Sequence, residues 1–262
     1  MTRLIIAGPR DPGIEAAEAV QRWNSGDLSV EFRETPSGLE AVEGLAEGRW
    51  SMVHADADAI FTAPAEIGAF IVLVPALGWD RRAVGRADLP AWEGLRGCRL
   101  AVEGRDRADG LLLEAFLASH ELNAEAVEWV AVASAPNRLD HLLAGAVDLA
   151  VLPGPLVARA LAAGYRDFGP AAAAVPEYPG WVLATTHAFN AQHPELVVTY
   201  ARILWQAWAT VSAPTGGAVL VHPSLAATRA ALESALALRA RLRSDPGRLG
   251  RFFDPAVMNA MF

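Results

Sequence analysis

The stretch from Leu95 to Leu156 decides the fold. It begins LRGCRLAVEG (95–104) and ends VDLAVLPGPL (147–156), so each end is a short apolar run closed by glycine or proline. Such runs are typical of buried strands in a parallel sheet. Between them the pattern predicts a helix over 110–120, a strand over 127–132 and a helix over 137–143. This β-α-β-α-β order predicts parallel strands joined by crossover helices.

Similar signals continue on both sides of this stretch. Strands are predicted at 3–7, 28–32, 50–53, 67–75 and 181–185. Helices are predicted at 14–23, 38–45, 156–163, 189–211 with an interruption at Pro194, 224–243 and 254–262. The segments 81–93 and 169–180 have no clear period and are predicted to be crossovers between two lobes.

The sequence therefore predicts an α/β protein with two lobes, each a mostly parallel sheet flanked by helices, and a helical C-terminal tail. The first lobe is discontinuous and comprises 1–88 and 178–262. The second lobe, 89–177, is inserted into it. Because two-lobed proteins of this kind bind small ligands between the lobes, a ligand cleft is expected there.

Composition excludes several classes of protein. The chain has 262 residues, of which 53% are hydrophobic, enough for one large or two small domains. No apolar run reaches the roughly 18 residues of a membrane-spanning helix. The net charge is −8 and every basic residue is arginine, a balance that argues against nucleic acid or an anionic membrane as partner. We therefore expect no nucleic acid partner and no membrane insertion.

Cys98 is the only cysteine, which rules out an intrachain disulfide and a cysteine-based metal cluster. We expect neither a metal nor a cofactor. The N-terminus carries no signal-peptide pattern, so the sequence as written predicts a cytoplasmic protein. A periplasmic or cell-surface location is the alternative, for a processed or truncated form.

Candidate ligand-binding residues in the first lobe follow its strands. Arg10 and Asp11 precede a predicted helix, where backbone amides and the arginine favour an anion. A surface arginine is the alternative. His54, Asp56 and Asp58 follow the third strand, and a histidine beside two carboxylates suits ligand contact or acid–base chemistry. The alternative is a polar loop that hydrogen-bonds its own backbone.

Trp79 and Asp80 follow the fourth strand. The tryptophan is a candidate for stacking on a planar ligand or for filling the hinge between the lobes. Tyr178 and Trp181 flank the return crossover, where they either close over an aromatic ligand or are buried at the hinge.

Candidates in the second lobe lie at predicted helix starts. Arg105 belongs to the loop GRDRAD (104–109), in which Asp109 is predicted to be structural, as a helix N-cap. Ser134 opens the next helix and offers backbone amides to a ligand. Pro153 and Gly154 shape the backbone at the end of the last strand.

Four phrases, taken in order, resemble a known family. They are LEAVEGLAEGRWSMVHADAD (39–58), LRGCRLAV (95–102), APNRLDHLLAGAVDLAVL (135–152) and FNAQHPELV (189–197). They resemble the substrate-binding proteins of ABC importers, in the nitrate, sulfonate and thiamine-pyrimidine group that includes the NMT1/THI5-like domain. The resemblance implies a type-2 periplasmic-binding-protein fold that closes on a small organic ligand, with an ABC permease as a partner.

Two functions remain open at this point. The first is a non-catalytic solute-binding protein that feeds an importer or acts as a cytosolic sensor or carrier. The second is a cytosolic enzyme on the same fold, such as a decarboxylase, a dehydratase or a pyrimidine-pathway enzyme. His54 would then be the general acid/base, oriented by Asp56 or Asp58. The cysteine-rich motif of the family's pyrimidine-synthesising enzymes is not found here.

Overall fold

The computed structural model describes residues 2–9, 28–75, 79, 81–89, 92–210, 225–243 and 247–261. The described residues form two compact units. The first takes its residues from 1–77 and 179–262, and the second from 78–178. The helix predicted over 14–23 lies outside the described residues.

The described residues include ten strands and nine α-helices. The strands are β1 (Thr2–Gly8), β2 (Leu28–Glu34), β3 (Met52–Asp56), β4 (Ala69–Leu73), β5 (Arg81–Gly85), β6 (Arg99–Val102), β7 (Glu128–Ala131), β8 (Leu149–Pro153), β9 (Arg166–Pro170) and β10 (Trp181–Thr186). The helices are α1 (Gly38–Ala46), α2 (Ala57–Phe61), α3 (Ala108–Ser119), α4 (Ala135–Leu143), α5 (Gly154–Ala162), α6 (His187–Gln192), α7 (Pro194–Thr210), α8 (Leu225–Leu242) and α9 (Pro255–Asn259).

The sheet of the first unit has the strand order β2-β1-β3-β10-β4. Strand β1 is parallel to β2 and β3, whereas β10 is antiparallel to both β3 and β4. Every residue of β3 and β4 is buried; this explains why β4 (AFIVL) is apolar throughout, whereas β3 (MVHAD) also buries His54 and Asp56. Strand β10 enters the sheet from more than a hundred residues further along the chain, so the first unit is built from two separate segments.

The sheet of the second unit has the order β7-β6-β8-β5-β9. Strand β6 is parallel to β7 and β8, and β5 is antiparallel to β8 and β9. Residues alternate between the two faces. Leu100 and Val102 pack in one cluster with Leu149, whereas Ala101 packs in the other with Ala150. Because side chains alternate along a strand, the continuous apolar strands place apolar side chains on both faces of the sheet, as the apolar runs in the sequence predicted.

The structure corrects the prediction at two segments. Residues 81–85, which we predicted to belong to a crossover, form strand β5, and residues 166–170, which overlap the predicted crossover 169–180, form strand β9. Each begins with charged residues, RRAVG and RDFGP, so neither has an apolar run. Strand β5 belongs to the second sheet and therefore to the second unit. The predicted cleft between the lobes stays a prediction.

The fold class agrees with the sequence prediction, since both units are helix-flanked sheets in which four of the five strands run in one direction. None of the described helices combines the length and the hydropathy that crossing a membrane requires.

Candidate functional site

The carboxyl edge of the second unit's sheet gathers the starts of three helices. Strands β6, β7 and β8 run in the same direction and lead into α3, α4 and α5. Ligands of open α/β sheets bind at this edge. Arg81, the first residue of β5, is the register partner of Pro153 and therefore lies beside the start of α5.

The N-cap residues of these three helices are Arg107, Ser134 and Pro153, and none of the three accepts a hydrogen bond from its helix through its side chain. In the first unit, by contrast, Ser37 and Asp56 cap α1 and α2 through their side-chain oxygens. Backbone N–H groups at a helix start carry partial positive charge. The edge of the second sheet is therefore suited to an anion.

A buried ion pair fixes the loops at this edge. Arg138 and Asp109 are each 2% exposed, and Arg138 Nη2 donates to Asp109 Oδ2 over 2.9 Å. The same guanidinium donates to the carbonyl oxygens of Val132, Ala133 and Val151 at 2.8–3.0 Å. Burial lowers the pKa of Arg138, and the Asp109 carboxylate opposes that shift. One side chain thus ties the starts of α3 and α4 to strand β8.

Two residues at the ends of the second unit join this network. Trp79 Nε1 donates to Asp109 Oδ1 over 3.2 Å, and the Trp79 ring meets Tyr178 edge to face, with centroids 5.9 Å apart. The guanidinium of Arg81 lies 5.1 Å from the centroid of the Trp79 ring. Trp79 and Tyr178 are 5% and 1% exposed, so both are buried. The Arg81 side chain is 13% exposed.

Other residues proposed for the second lobe lie at or near the same edge. Ser134, Pro153 and Gly154 are half-buried at the starts of α4 and α5. Arg105 forms ion pairs with Glu114, at 3.3 Å, and with Glu125. Its guanidinium is thus held against the flank of α3.

Asp109 does not act as the predicted N-cap. The N-cap of α3 is Arg107, and the Asp109 carboxylate turns inward to Arg138. Its expected structural role is performed through an ion pair instead.

In the first unit, His54 is an interior residue. It is 1% exposed, and its Nε2 lies 3.0 Å from the Tyr200 hydroxyl oxygen. Phe32 and Tyr200 contact the imidazole edge to face. Burial lowers the pKa of His54 from 6.5 to about 4. The imidazole is therefore neutral at physiological pH and packed among aromatic rings.

Asp56 and Asp58 have different partners. Asp56 ends β3 and accepts a hydrogen bond from the Ala59 amide over 2.8 Å, which starts α2. Its register partner is Trp181, so both lie at the carboxyl edge of the first sheet. Asp58 is 1% exposed and forms an ion pair with Arg239 over 3.1 Å.

The Asp58 contact buries Arg239, although three arginines near the end of one helix, Arg239, Arg241 and Arg243, are typical of a solvated helix face. Arg10, Asp11 and Asp80, three of the proposed site residues, lie outside the described residues.

Sequence reasoning missed Arg81 and Arg138. Arg138 did carry a signal, because it occupies the first turn of α4, where a cation opposes the helix dipole. A buried partner such as Asp109 explains that placement. Within the described part of the chain, no three His, Cys, Asp or Glu side chains are grouped so as to hold a metal ion.

Comparison with known proteins agrees with the predicted resemblance. Residues 87–215 match the model of the NMT1/THI5-like family, which confirms the similarity stated from the sequence. No curated protein sequence matches the chain at significant similarity.

Solved structures share the fold over almost the whole chain. One is the alkanesulfonate-binding protein SsuA of Xanthomonas axonopodis pv. citri bound to MOPS, with TM-score 0.71, 15% identity and 98% coverage of both chains. A second is the zinc-bound ligand-binding component of an ABC-type import system from Staphylococcus aureus, with TM-score 0.80, 10% identity and coverage of 100% of this chain and 99% of that one. A third is the periplasmic aliphatic sulphonate binding protein SsuA of Escherichia coli, with TM-score 0.66, 15% identity and coverage of 100% and 82%. At these identities the likeness establishes the type-2 periplasmic-binding-protein fold.

Proposed function

We propose that this chain, with its NMT1/THI5-like segment, is a solute-binding protein that binds a small organic anion and delivers it to an ABC-type permease. The observation that carries the proposal is the convergence of three helix starts, none capped by the side chain of its N-cap residue, with Arg81 at one edge of the second sheet. Backbone amides and a guanidinium bind anions without transferring protons to them.

The anionic class of ligand follows from the charges at this edge. Arg81 and Arg138 place two guanidinium groups at this edge, and the Asp109 carboxylate lies 4.0 Å from the first and 2.9 Å from the second. The aligned dipoles of α3, α4 and α5 add further positive potential at their amino ends. A sulfonate or carboxylate group matches this environment better than an amine does.

The solved relatives support a sulfonate in particular. Two of them are described as proteins that bind an alkanesulfonate or an aliphatic sulphonate. A sulfonate has three acceptor oxygens, which suits donors that arrive from several helix starts. We therefore propose organosulfonates as the first ligand class to test.

Isothermal titration with a series of alkanesulfonates, matched carboxylates and matched neutral alcohols tests the proposal. We expect the anions to bind and the alcohols not to bind. Replacement of Arg81 by Gln is expected to weaken sulfonate binding at least about tenfold, the equivalent of roughly 1.4 kcal/mol. The matched control is Arg159→Gln, which removes an exposed charge from the far end of α5 and leaves affinity unchanged. Binding of no anion, or equal affinity in the two variants, would contradict the proposal.

Mass spectrometry of the ligand after incubation separates binding from catalysis. Recovery of the ligand unchanged is expected for a binding protein, and a chemically altered ligand would favour the enzymatic alternative. The surroundings of His54 do not favour the enzymatic alternative, because His54 is 1% exposed and its imidazole is hydrogen-bonded to the Tyr200 hydroxyl.

As the partner of an importer, the protein acts outside the cytoplasmic membrane in this proposal. That is the alternative location which the sequence left open. Fractionation of cells that express the full-length gene product tests it, and recovery of the protein only with cytosolic markers would instead favour a carrier or sensor.

A further inference from the structure

A pocket lies in the first unit, at the edge of its sheet where β4 begins and β10 ends. It has a volume of about 160 Å³, and its walls include Ile60, Ala63, Ala69 and Phe252, with His187 and Arg251 at its mouth. Ala69 begins β4, and His187 directly follows β10. Because β10 runs antiparallel to β3, this edge is the one furthest from Asp56 and Trp181. The pocket is therefore separate from the carboxyl edges of the sheets.

The walls of the pocket are apolar and fixed. Ile60, Ala63, Ala69 and Phe252 are all buried. The Phe252 ring packs edge to face on Phe61 with centroids 5.2 Å apart, and its carbonyl accepts a hydrogen bond from the Ile71 amide over 2.7 Å. An engineered apolar cavity of about 150 Å³ in another protein binds benzene. A pocket of this size and lining therefore suits one ring.

The mouth of the pocket carries two nitrogen-rich planar groups. Arg251 Nη2 donates to the Ala63 carbonyl over 3.1 Å, and its guanidinium lies 4.7 Å from the centroid of the Phe252 ring. The His187 imidazole stacks on Phe70 at 4.5 Å with an interplanar angle of 7°. Both residues are exposed, and the described lining contains no carboxylate.

From these features we infer that the pocket binds a small aromatic carboxylate, with the ring on the apolar floor and the carboxylate beside Arg251 and His187. A guanidinium recognises carboxylate oxygens through charge-assisted hydrogen bonds. The aromatic partners hold both mouth groups in place, so little side-chain entropy is lost when the anion binds.

Titration with benzoate as the probe tests this inference, with benzamide as its neutral isostere. We expect saturable benzoate binding that is at least about tenfold tighter than benzamide binding. In the Arg251→Gln variant the two probes are expected to bind equally weakly. The matched control is Arg248→Gln, an exposed arginine three residues earlier, which should behave as wild type.

A pocket-filling variant separates this site from the one proposed at the second sheet. Ala65 is exposed and lines the pocket, so Ala65→Phe is expected to abolish benzoate binding without disturbing the core. If benzoate binding is instead lost in Arg81→Gln and retained in Ala65→Phe, benzoate binds at the second sheet and the inference is wrong. It is also wrong if benzoate shows no saturable binding, or if benzamide binds as tightly as benzoate.

Discussion

His54 and Asp58 lie four residues apart and are both 1% exposed, yet the protein interior compensates their burial differently. His54 avoids the desolvation cost of a buried charge because its imidazole stays neutral, and it shares a hydrogen bond with the Tyr200 hydroxyl. Asp58 is paired with the guanidinium of Arg239 from α8. We therefore expect the two residues to respond differently to mutation and to pH, because an uncompensated buried charge destabilises the folded protein.

We predict that the free energy of unfolding decreases as the pH is lowered, because of His54. Its pKa is about 4 in the folded protein and about 6.5 when unfolded, so only the unfolded state takes up a proton between these values. The histidine's contribution is therefore complete above pH 6.5 and is lost as pH falls through 4, by about 3 kcal/mol in total. Urea denaturation of wild type and His54→Gln between pH 7.5 and 4.5 should show a smaller decline in the variant. His193→Gln, which removes an exposed histidine, is the control and should decline like wild type. Equal declines in wild type and His54→Gln would contradict the prediction.

Arg239 and Arg241 offer a matched pair for testing the buried ion pair. Arg239→Met leaves the Asp58 charge buried without its partner, and we expect the free energy of unfolding to fall by about 3–5 kcal/mol. Arg241→Met removes an exposed charge two residues away and should change it by less than about 0.5 kcal/mol. Chemical denaturation at pH 7 measures both. Similar values for the two variants would show that the ion pair contributes nothing to stability.

At the scale of single elements, α1 depends on a glycine in its interior. A Cβ atom added at Gly44 would lie 1.8 Å from Trp50 Nε1 and 2.4 Å from Trp50 Cε2, so the indole packs directly on the helix backbone. Alanine in a helix interior is usually more favourable than glycine by about 1 kcal/mol. Here the contact reverses that preference.

Gly44→Ala is therefore predicted to destabilise the protein by about 1–3 kcal/mol, the usual cost of overpacking. The double variant with Trp50→Leu should recover much of the loss, since the two residues are in contact and their effects are not additive. Thermal and urea denaturation of the single and double variants test this. Stabilisation by Gly44→Ala alone would contradict the packing described here.

Most elements could be predicted from local patterns, and the exceptions have a physical explanation. The helix over Gly38–Ala46 was recognisable from Ser37, whose hydroxyl caps it, and from its apolar spacing. Strand β5 was not recognisable, because only Ala83, Val84 and Gly85 are buried and two arginines precede them. Charged strand ends are tolerated where neighbouring strands supply the pairing, and that pairing is not visible in a local window.

At the scale of the whole molecule, the two units differ in how the chain builds them. The second sheet and its two apolar clusters come from a single stretch, 78–178. The first sheet needs β10 between β3 and β4, and β10 follows the entire second unit. The sheet and apolar clusters of the second unit are therefore continuous in sequence, whereas the sheet of the first unit is not.

A fragment spanning 78–178 is predicted to fold by itself with a cooperative thermal transition. About a hundred residues with a five-stranded sheet are enough for an independent core. A fragment spanning 1–77 is the control and should not fold, because β4 lacks the strand that joins it to β3. Circular dichroism and denaturant titration of both fragments test this. A non-cooperative 78–178 fragment would show that its stability depends on the rest of the chain.

The sequence by itself determined the α/β class, the positions of most strands and helices, and the resemblance to importer-associated binding proteins. These features follow from local hydrophobic periodicity and from the positions of glycine and proline, which are signals that extend over only a few residues. Only the tertiary structure decided which polar side chains face an edge and which are buried. Asp56 starts a helix while His54, two residues earlier, is enclosed by Tyr200 from a helix 146 positions away. Arg138 and Asp109 are a pair for the same reason, since contacts between distant segments determine where a charge is compensated.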